Sequence, residues 1–90
     1  MTDVTRNDAT KRFELPVDGH TAFVDYRQGD GRLLLVHTEV PAALGGKGIG
    51  SRLAKGTLDL LRSEGVKVEL RCDFLQSYVE RHPEYRDLLA

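Results

Sequence analysis

Hydrophobic positions change their spacing several times along the chain, and each change marks a new element. Phe13 and Leu15 alternate with Arg12 and Glu14, and Ala22, Val24 and Tyr26 occupy every second position between His20 and Gln28. A period of two places alternate side chains on one face of a strand. Pro16-Val17-Asp18-Gly19 supplies turn residues between the two runs, so they read as a hairpin. A second turn at Gly29-Asp30-Gly31 leads into Arg32 to Val40, whose Leu33-Leu34-Leu35-Val36 start is continuously apolar. Such a run suits a central strand covered on both faces. Pro41 has no N–H for a ladder and ends it.

After a glycine-rich loop the spacing becomes helical. Ile49, Leu53, Ala54, Leu58 and Leu61 form one stripe, while Ser51, Arg52, Lys55, Asp59 and Arg62 occupy the opposite side. Gly65 is placed to close the helix in a left-handed cap. Val66, Val68, Leu70 and Cys72 then restore a period of two and predict another strand. Asp73, with Gln76 three positions on, predicts a capped helix with Leu75, Tyr78, Val79 and His82 on one face. Pro83 restarts a last helical segment over Glu84 to Leu89, anchored by Tyr85, Leu88 and Leu89. The first ten residues, rich in Thr, Asp and Asn, show no periodicity and read as a disordered tail, leaving residues 11–90 as one domain.

This order predicts a mixed α/β (α+β) fold: an antiparallel three-strand meander plus one parallel strand joined by a crossover helix, with short C-terminal helices. A strand-helix-strand crossover is right-handed in nearly all cases, so both of its strands end at the same edge of the sheet. His37, Glu39, the glycine loop and Cys72 then gather around one crevice, where open sheets bind ligands.

Composition narrows the class. Ninety residues fit one small domain, 40% apolar and 30% charged content is ordinary for a globular protein, and no apolar run is long enough for a membrane helix. A formal charge of −1 argues against a protein built to hold nucleic acid, and the N-terminus lacks a secretory pattern. A cytoplasmic monomer or weak dimer is expected. The single cysteine, Cys72, cannot form an internal disulfide, and no metal-ligand spacing is present.

Glycines at 45, 46, 48 and 50 allow backbone N–H groups to approach a diphosphate, and the start of the helix adds partial positive charge. Lys47 brings a full charge. The same glycines also suit a plain turn. Neither G-x-x-x-x-G-K-[ST] nor the dinucleotide G-x-G-x-x-G is present.

Gly48-Ile49-Gly50 matches the last half of the Arg/Gln-x-x-Gly-x-Gly/Ala phosphate motif of the GNAT acetyl-CoA N-acetyltransferase superfamily, again between a central strand and a helix. With His37-Thr-Glu-Val-Pro41, Cys72 and Arg81-His-Pro-Glu-Tyr85, the ordered set resembles the minimal single-domain subgroup of that superfamily. The resemblance implies a GNAT-like mixed sheet, acetyl-CoA as acetyl donor, and an amine acceptor, either a small molecule or a protein lysine. It implies that Val40, Gly46, Lys47, Gly48, Ile49, Gly50 and Ser51 meet the pantetheine and diphosphate, and that Arg81 and His82 touch the CoA phosphates. Gly45 departs from the motif, which has Arg or Gln there.

Acetyl transfer to an amine requires proton removal and stabilisation of charge on the thioester oxygen. In a direct route Glu39 or His37 takes the proton, a backbone N–H of the strand beginning at Val40 polarises the carbonyl, and Tyr78 protonates the departing thiolate. In a covalent route Cys72 is the nucleophile, with His37 drawing off its proton. Each residue also has a plain structural reading: a solvated strand-end Glu39, and Tyr78 and Cys72 as core. A CoA-responsive interaction module without turnover is the rival from another class, and a structural protein that has lost CoA affinity is a third.

Overall fold

The computed structural model describes residues 3–90. Five strands form one sheet in sequential order: β1 (Thr5–Asn7), β2 (Arg12–Val17), β3 (His20–Gln28), β4 (Leu33–Glu39) and β5 (Val68–Leu70). β1 to β4 pair antiparallel and β5 joins β4 in parallel. Helix α1 (Ile49–Glu64) makes the crossover, and α2 (Asp73–Arg81) with a 3₁₀ segment (Pro83–Leu88) follows β5.

The predicted hairpin closes through Asp18 and Gly19, both at positive φ, 49° and 79°. Two left-handed residues make the tight turn whose twist suits flanking strands. Phe13, Leu15, Ala22, Val24, Tyr26, Leu33, Leu35 and Val68 point to one face of the sheet and are buried under Leu53, Leu58 and Leu61 of α1 and Leu75 and Val79 of α2. The helices therefore cover one face. On the other, Arg12, Phe23, Asp25, His37 and Glu39 carry no covering layer among the described residues.

Three expectations need correction. The polar N-terminal segment is not a loose tail where it is described: Thr5–Asn7 pairs with Arg12–Glu14, and Val4 is buried. Side-chain bonding holds it in place of an apolar stripe. Arg6 pairs with Asp8 at 2.7 Å and Glu64 at 2.9 Å, its guanidinium lies 4.9 Å from the Tyr26 ring centroid, and the Tyr26 hydroxyl donates to Asp8 at 2.5 Å. Met1 and Thr2 lie outside the described residues.

Second, β5 is shorter than its Val66 to Cys72 pattern, because both ends serve helices. The Val66 N–H closes the cap of α1 on the Leu61 carbonyl at 3.0 Å, and Cys72 is the N-cap of α2. Third, Gln76 does not complete a capping box with Asp73. Its Nε2 donates to the Leu70 carbonyl at 2.8 Å on the outer edge of β5, where the Ala90 N–H also caps the Val68 carbonyl at 2.9 Å. An edge strand closed in this way offers little to a stray strand.

Candidate active site

The crevice begins at an irregularity in β4. Tyr26 pairs with Leu35 but Asp25 pairs with His37, so Val36 is an extra residue, a β-bulge. Bulges exchange the two faces of a strand. Before this one Leu33 and Leu35 point under the helices; after it Thr38 lies opposite buried Val24, while His37 and Glu39 lie opposite Asp25 and Phe23 on the open face.

At the same place β4 and β5 part. Their ladder runs over Leu33–Val68, Leu34–Glu69 and Leu35–Leu70, with a last bond from the Arg71 N–H to the Leu35 carbonyl at 2.9 Å. Beyond it β4 continues to Glu39, whereas the chain after Leu70 turns into α2. The side of β4 facing away from β3 thus loses its strand partner from Val36 onward.

The bulge decides which sequence-predicted groups meet. Cys72 does not face His37: its half-buried thiol lies against Thr38, Sγ to Oγ1 at 3.4 Å, inside the fork. His37 instead pairs with Glu39, Nε2 to Oε1 at 3.0 Å, both exposed on the open face. The expected Cys72–His37 dyad is therefore replaced by two pairs on opposite faces of one strand. Thr38 is the residue that sequence reasoning missed.

Val40 and Pro41 lead from β4 into a 3₁₀ turn, Ala42–Leu44. Gly45 closes it with an N–H bond to the Ala42 carbonyl at 3.1 Å, and a Cβ there would stand 3.2 Å from that oxygen. The turn is tight at this position, where the GNAT motif carries a longer side chain. Gly46 and Gly48 follow at φ of 77° and 69°, values that strain any L side chain. Gly48 is the N-cap of α1 and supplies no side-chain hydrogen bond, and the first turn contains no acidic residue. The first N–H groups of a helix have no intrahelical acceptor and carry the positive end of its dipole. Ile49 anchors the turn in the core, leaving the Gly50 and Ser51 backbone at the surface.

Lys47 belongs to this loop but is tied to the β2–β3 turn through Asp18 at 3.3 Å, and Arg52 on the first turns of α1 pairs with Asp3 at 3.1 Å. Both pairs are exposed, so solvent screening leaves these cations available to an anion. Phe74, in the first turn of α2, covers the other side. A Cβ on Gly50 would stand 2.9 Å from the tip of the Phe74 ring, so a side chain at position 50 would displace that ring.

Tyr78 and Arg81 lie in the second half of α2, and His82 is its C-cap. Tyr78 is buried, its ring stacked on His82 at 4.1 Å between centroids and 6.1 Å from Tyr85, and burial raises its hydroxyl pKa. Arg81 and His82 end α2, about 12 Å along its axis from Asp73. Arg81 and His82 lead into the 3₁₀ segment after α2, which packs against α1: there the Tyr85 hydroxyl donates to Asp59 at 2.7 Å and Lys55 to the same carboxylate at 2.8 Å. Burial and the Asp59 bond push the Tyr85 hydroxyl up to about 12. Burial alone would raise the Asp59 carboxyl, but the bonds from Lys55 and Tyr85 outweigh it and hold it below the usual carboxylate range.

A hollow of about 400 Å³ lies between the Asp3–Val4 segment and the flank of α1, and one of about 390 Å³ borders the outer edge of β5. Neither is lined by Thr38, Cys72 or the glycine loop. No group of three or more His, Cys, Asp or Glu among the described residues is arranged to hold a metal ion.

The glycine loop lies between the central strand β4 and the start of α1, as the sequence motif places it, and the profile of the GCN5-related N-acetyltransferase family matches residues 12–88. The chain belongs to this family. Over 49 residues, 54% of this chain, it is 47% identical to Protein NATD1 from Gallus gallus and to its Homo sapiens counterpart. Protein NATD1 from Danio rerio is 42% identical over 53 residues. These matches cover 44%, 43% and 48% of the relatives, less than half of each. The NMR structure of a GCN5-like protein from Staphylococcus aureus superposes with a TM-score of 0.72 at 25% identity, covering 100% of this chain and 91% of that one. The described residues thus have the compact GNAT fold of a GCN5-related N-acetyltransferase.

Proposed function

We propose that the protein transfers the acetyl group of acetyl-CoA to a primary amine at the β4/β5 fork. The observation that carries this reading is the divergence of β4 from β5 beside the glycine-rich, uncapped start of α1. Acetyl-CoA supplies an activated thioester, and the cradle fits it: a diphosphate accepts hydrogen bonds from the free N–H groups of the first turn, with Lys47 and Arg52 nearby as cations. The freed backbone of β4 from Val36 to Val40 offers donors and acceptors to an extended, amide-containing arm, and a donor to charge developing on the carbonyl oxygen.

On the open face, His37 and Glu39 form the group that takes a proton from the incoming ammonium. The acceptor therefore approaches from the side without helices, while Thr38 and Cys72 line the opposite side of the fork. Tyr78, packed with His82, serves the fold in this account.

The position of Cys72 in the fork favours one second reading. The Cys72 sulfur would take the acetyl group with rupture of the donor's thioester C–S bond, its thiol proton passing to the departing CoA sulfur; the amine would then take the acetyl group with rupture of the Cys72 thioester C–S bond, an amine proton passing to the Cys72 sulfur. Thr38, not His37, is the polar neighbour available to that thiol.

Acetyl-CoA titration, followed by intact mass and release of free thiol, separates the readings. Binding with turnover of an amine and no protein acetylation supports direct transfer. A protein mass gain of one acetyl group, absent in Cys72→Ala, supports the carrier. Saturable binding without acetyl consumption for any amine leaves the CoA-responsive module.

A further inference from the structure

Phe74 is one of two large apolar side chains exposed among the described residues, at 37%. The buried stripe of α2 is Leu75, Tyr78 and Val79, so packing of this helix does not call for an aromatic ring at 74. The position of the ring is nevertheless specific. It lies against Gly50 in the first turn of α1, so closely that a Cβ would meet Cζ at 2.9 Å and Cε1 at 3.4 Å. Along its own chain Phe74 stands two residues past Cys72, whose thiol touches Thr38 in the fork. One exposed ring thus connects the two ends of the crevice.

We propose that Phe74 is the wall along which the pantetheine arm of acetyl-CoA lies, and that it makes the site select the full coenzyme over its nucleotide half. The inference rests on the proposed acetyl-CoA site. A molecule held at one end by the N–H groups of α1 and at the other in the fork beside Thr38 and Cys72 passes the Phe74 ring between them. Pantetheine is largely aliphatic, and covering an aromatic face with it removes apolar surface of both from water. A nucleotide diphosphate ends at the cradle and leaves the ring exposed. Position 50 bears on the same arrangement, because even alanine there would push the ring out of the path.

Calorimetric and amide-shift titrations of the whole chain with CoA, acetyl-CoA and ADP test this in wild type, Phe74→Ala, Phe74→Leu and Gly50→Ala. Phe74→Ala should weaken CoA and acetyl-CoA by about tenfold and ADP by less than twofold, with Phe74→Leu in between. Gly50→Ala should weaken CoA in the wild-type background and lose most of that effect when combined with Phe74→Ala. Equal weakening of CoA and ADP, or unchanged CoA binding by a folded Phe74→Ala protein, overturns the role of Phe74 and leaves the site intact. Failure of wild type to bind CoA at all overturns the acetyl-CoA site itself, and the Phe74 proposal with it.

Discussion

The two ends of α1 are built from the same residue type and finished in opposite ways. At the C-terminal end Gly65 is left-handed at φ 69°, its N–H bonds to the Arg62 carbonyl at 3.1 Å, and the Val66 N–H bonds to the Leu61 carbonyl at 3.0 Å. These two bonds satisfy carbonyls the helix would otherwise leave open, and Arg62 in the last turn complements the dipole. At the N-terminal end Gly48 is also left-handed at φ 69° but contributes no side-chain bond, and no acidic residue balances the charge. The contrast separates a glycine that completes a helix from a glycine that leaves room beside one. Only the second kind leaves helix N–H groups open to an anion.

Substituting each glycine should break one end and spare the other. The largest effect belongs to Gly48→Glu, which places a carboxylate where the account puts a diphosphate and forces a side chain into the left-handed region. Acetyl-CoA at about a hundred times its dissociation constant should stabilise wild type by roughly 2.7 kcal/mol, and this gain should vanish in the variant. Paired thermal melts with and without ligand read it directly. Gly65→Ala comes next, costing about 1–2 kcal/mol through the left-handed penalty and lowering the melting temperature by several degrees, with acetyl-CoA affinity unchanged within twofold. A loss of affinity in Gly65→Ala matching that in Gly48→Glu would remove the distinction between the ends.

The flank of α1 gives a smaller, pH-dependent effect. The Tyr85 hydroxyl is raised to about 12 from 10, so the folded state holds this proton more tightly than the unfolded chain does. Its contribution is complete below about pH 10 and is lost as pH rises through 10 to 12. Tyr85→Phe should cost about 1 kcal/mol at neutral pH and make stability fall less steeply above pH 10. Tyr26 and Tyr78, raised chiefly by burial, keep part of that fall in place. Denaturant melts at pH 7, 9 and 11 resolve the difference. The smallest change in stability should come from Lys47→Ala, since its exposed pair with Asp18 contributes less than about 0.5 kcal/mol. Acetyl-CoA affinity should still fall severalfold, and more at low salt than at high salt.

Periodicity made β2 to β5, α1 and α2 legible, because each buries one face and its apolar spacing records which. β1 was not legible: it is held by Arg6, Asp8, Tyr26 and Glu64, a side-chain network that leaves no apolar period. The glycine loop was readable as a helix start near a sheet edge, and its left-handed residues are where the sequence puts glycine. The pairing of chemical groups was not, for one reason. Counting alternate residues from Leu33 and Leu35 sends His37 and Glu39 to the inner face with Cys72, and the bulge at Val36 reverses that parity. Thr38 takes the inner place. Phe74 left a faint signal in the sequence: an aromatic residue off the apolar stripe of its helix, and a glycine inside the first turn of another helix where alanine is intrinsically better.

The central claim is that the unfinished end of α1 and the fork beside it hold acetyl-CoA. Its most direct test is an amide-resolved NMR titration of the labelled protein with acetyl-CoA. The account predicts saturable shifts at Gly46 to Ser51, along Val36 to Val40 and at Cys72 to Phe74, with Gly65 to Lys67 unmoved. Absence of binding, or saturable shifts confined to the C-terminal end of α1 and the outer edge of β5, would contradict it.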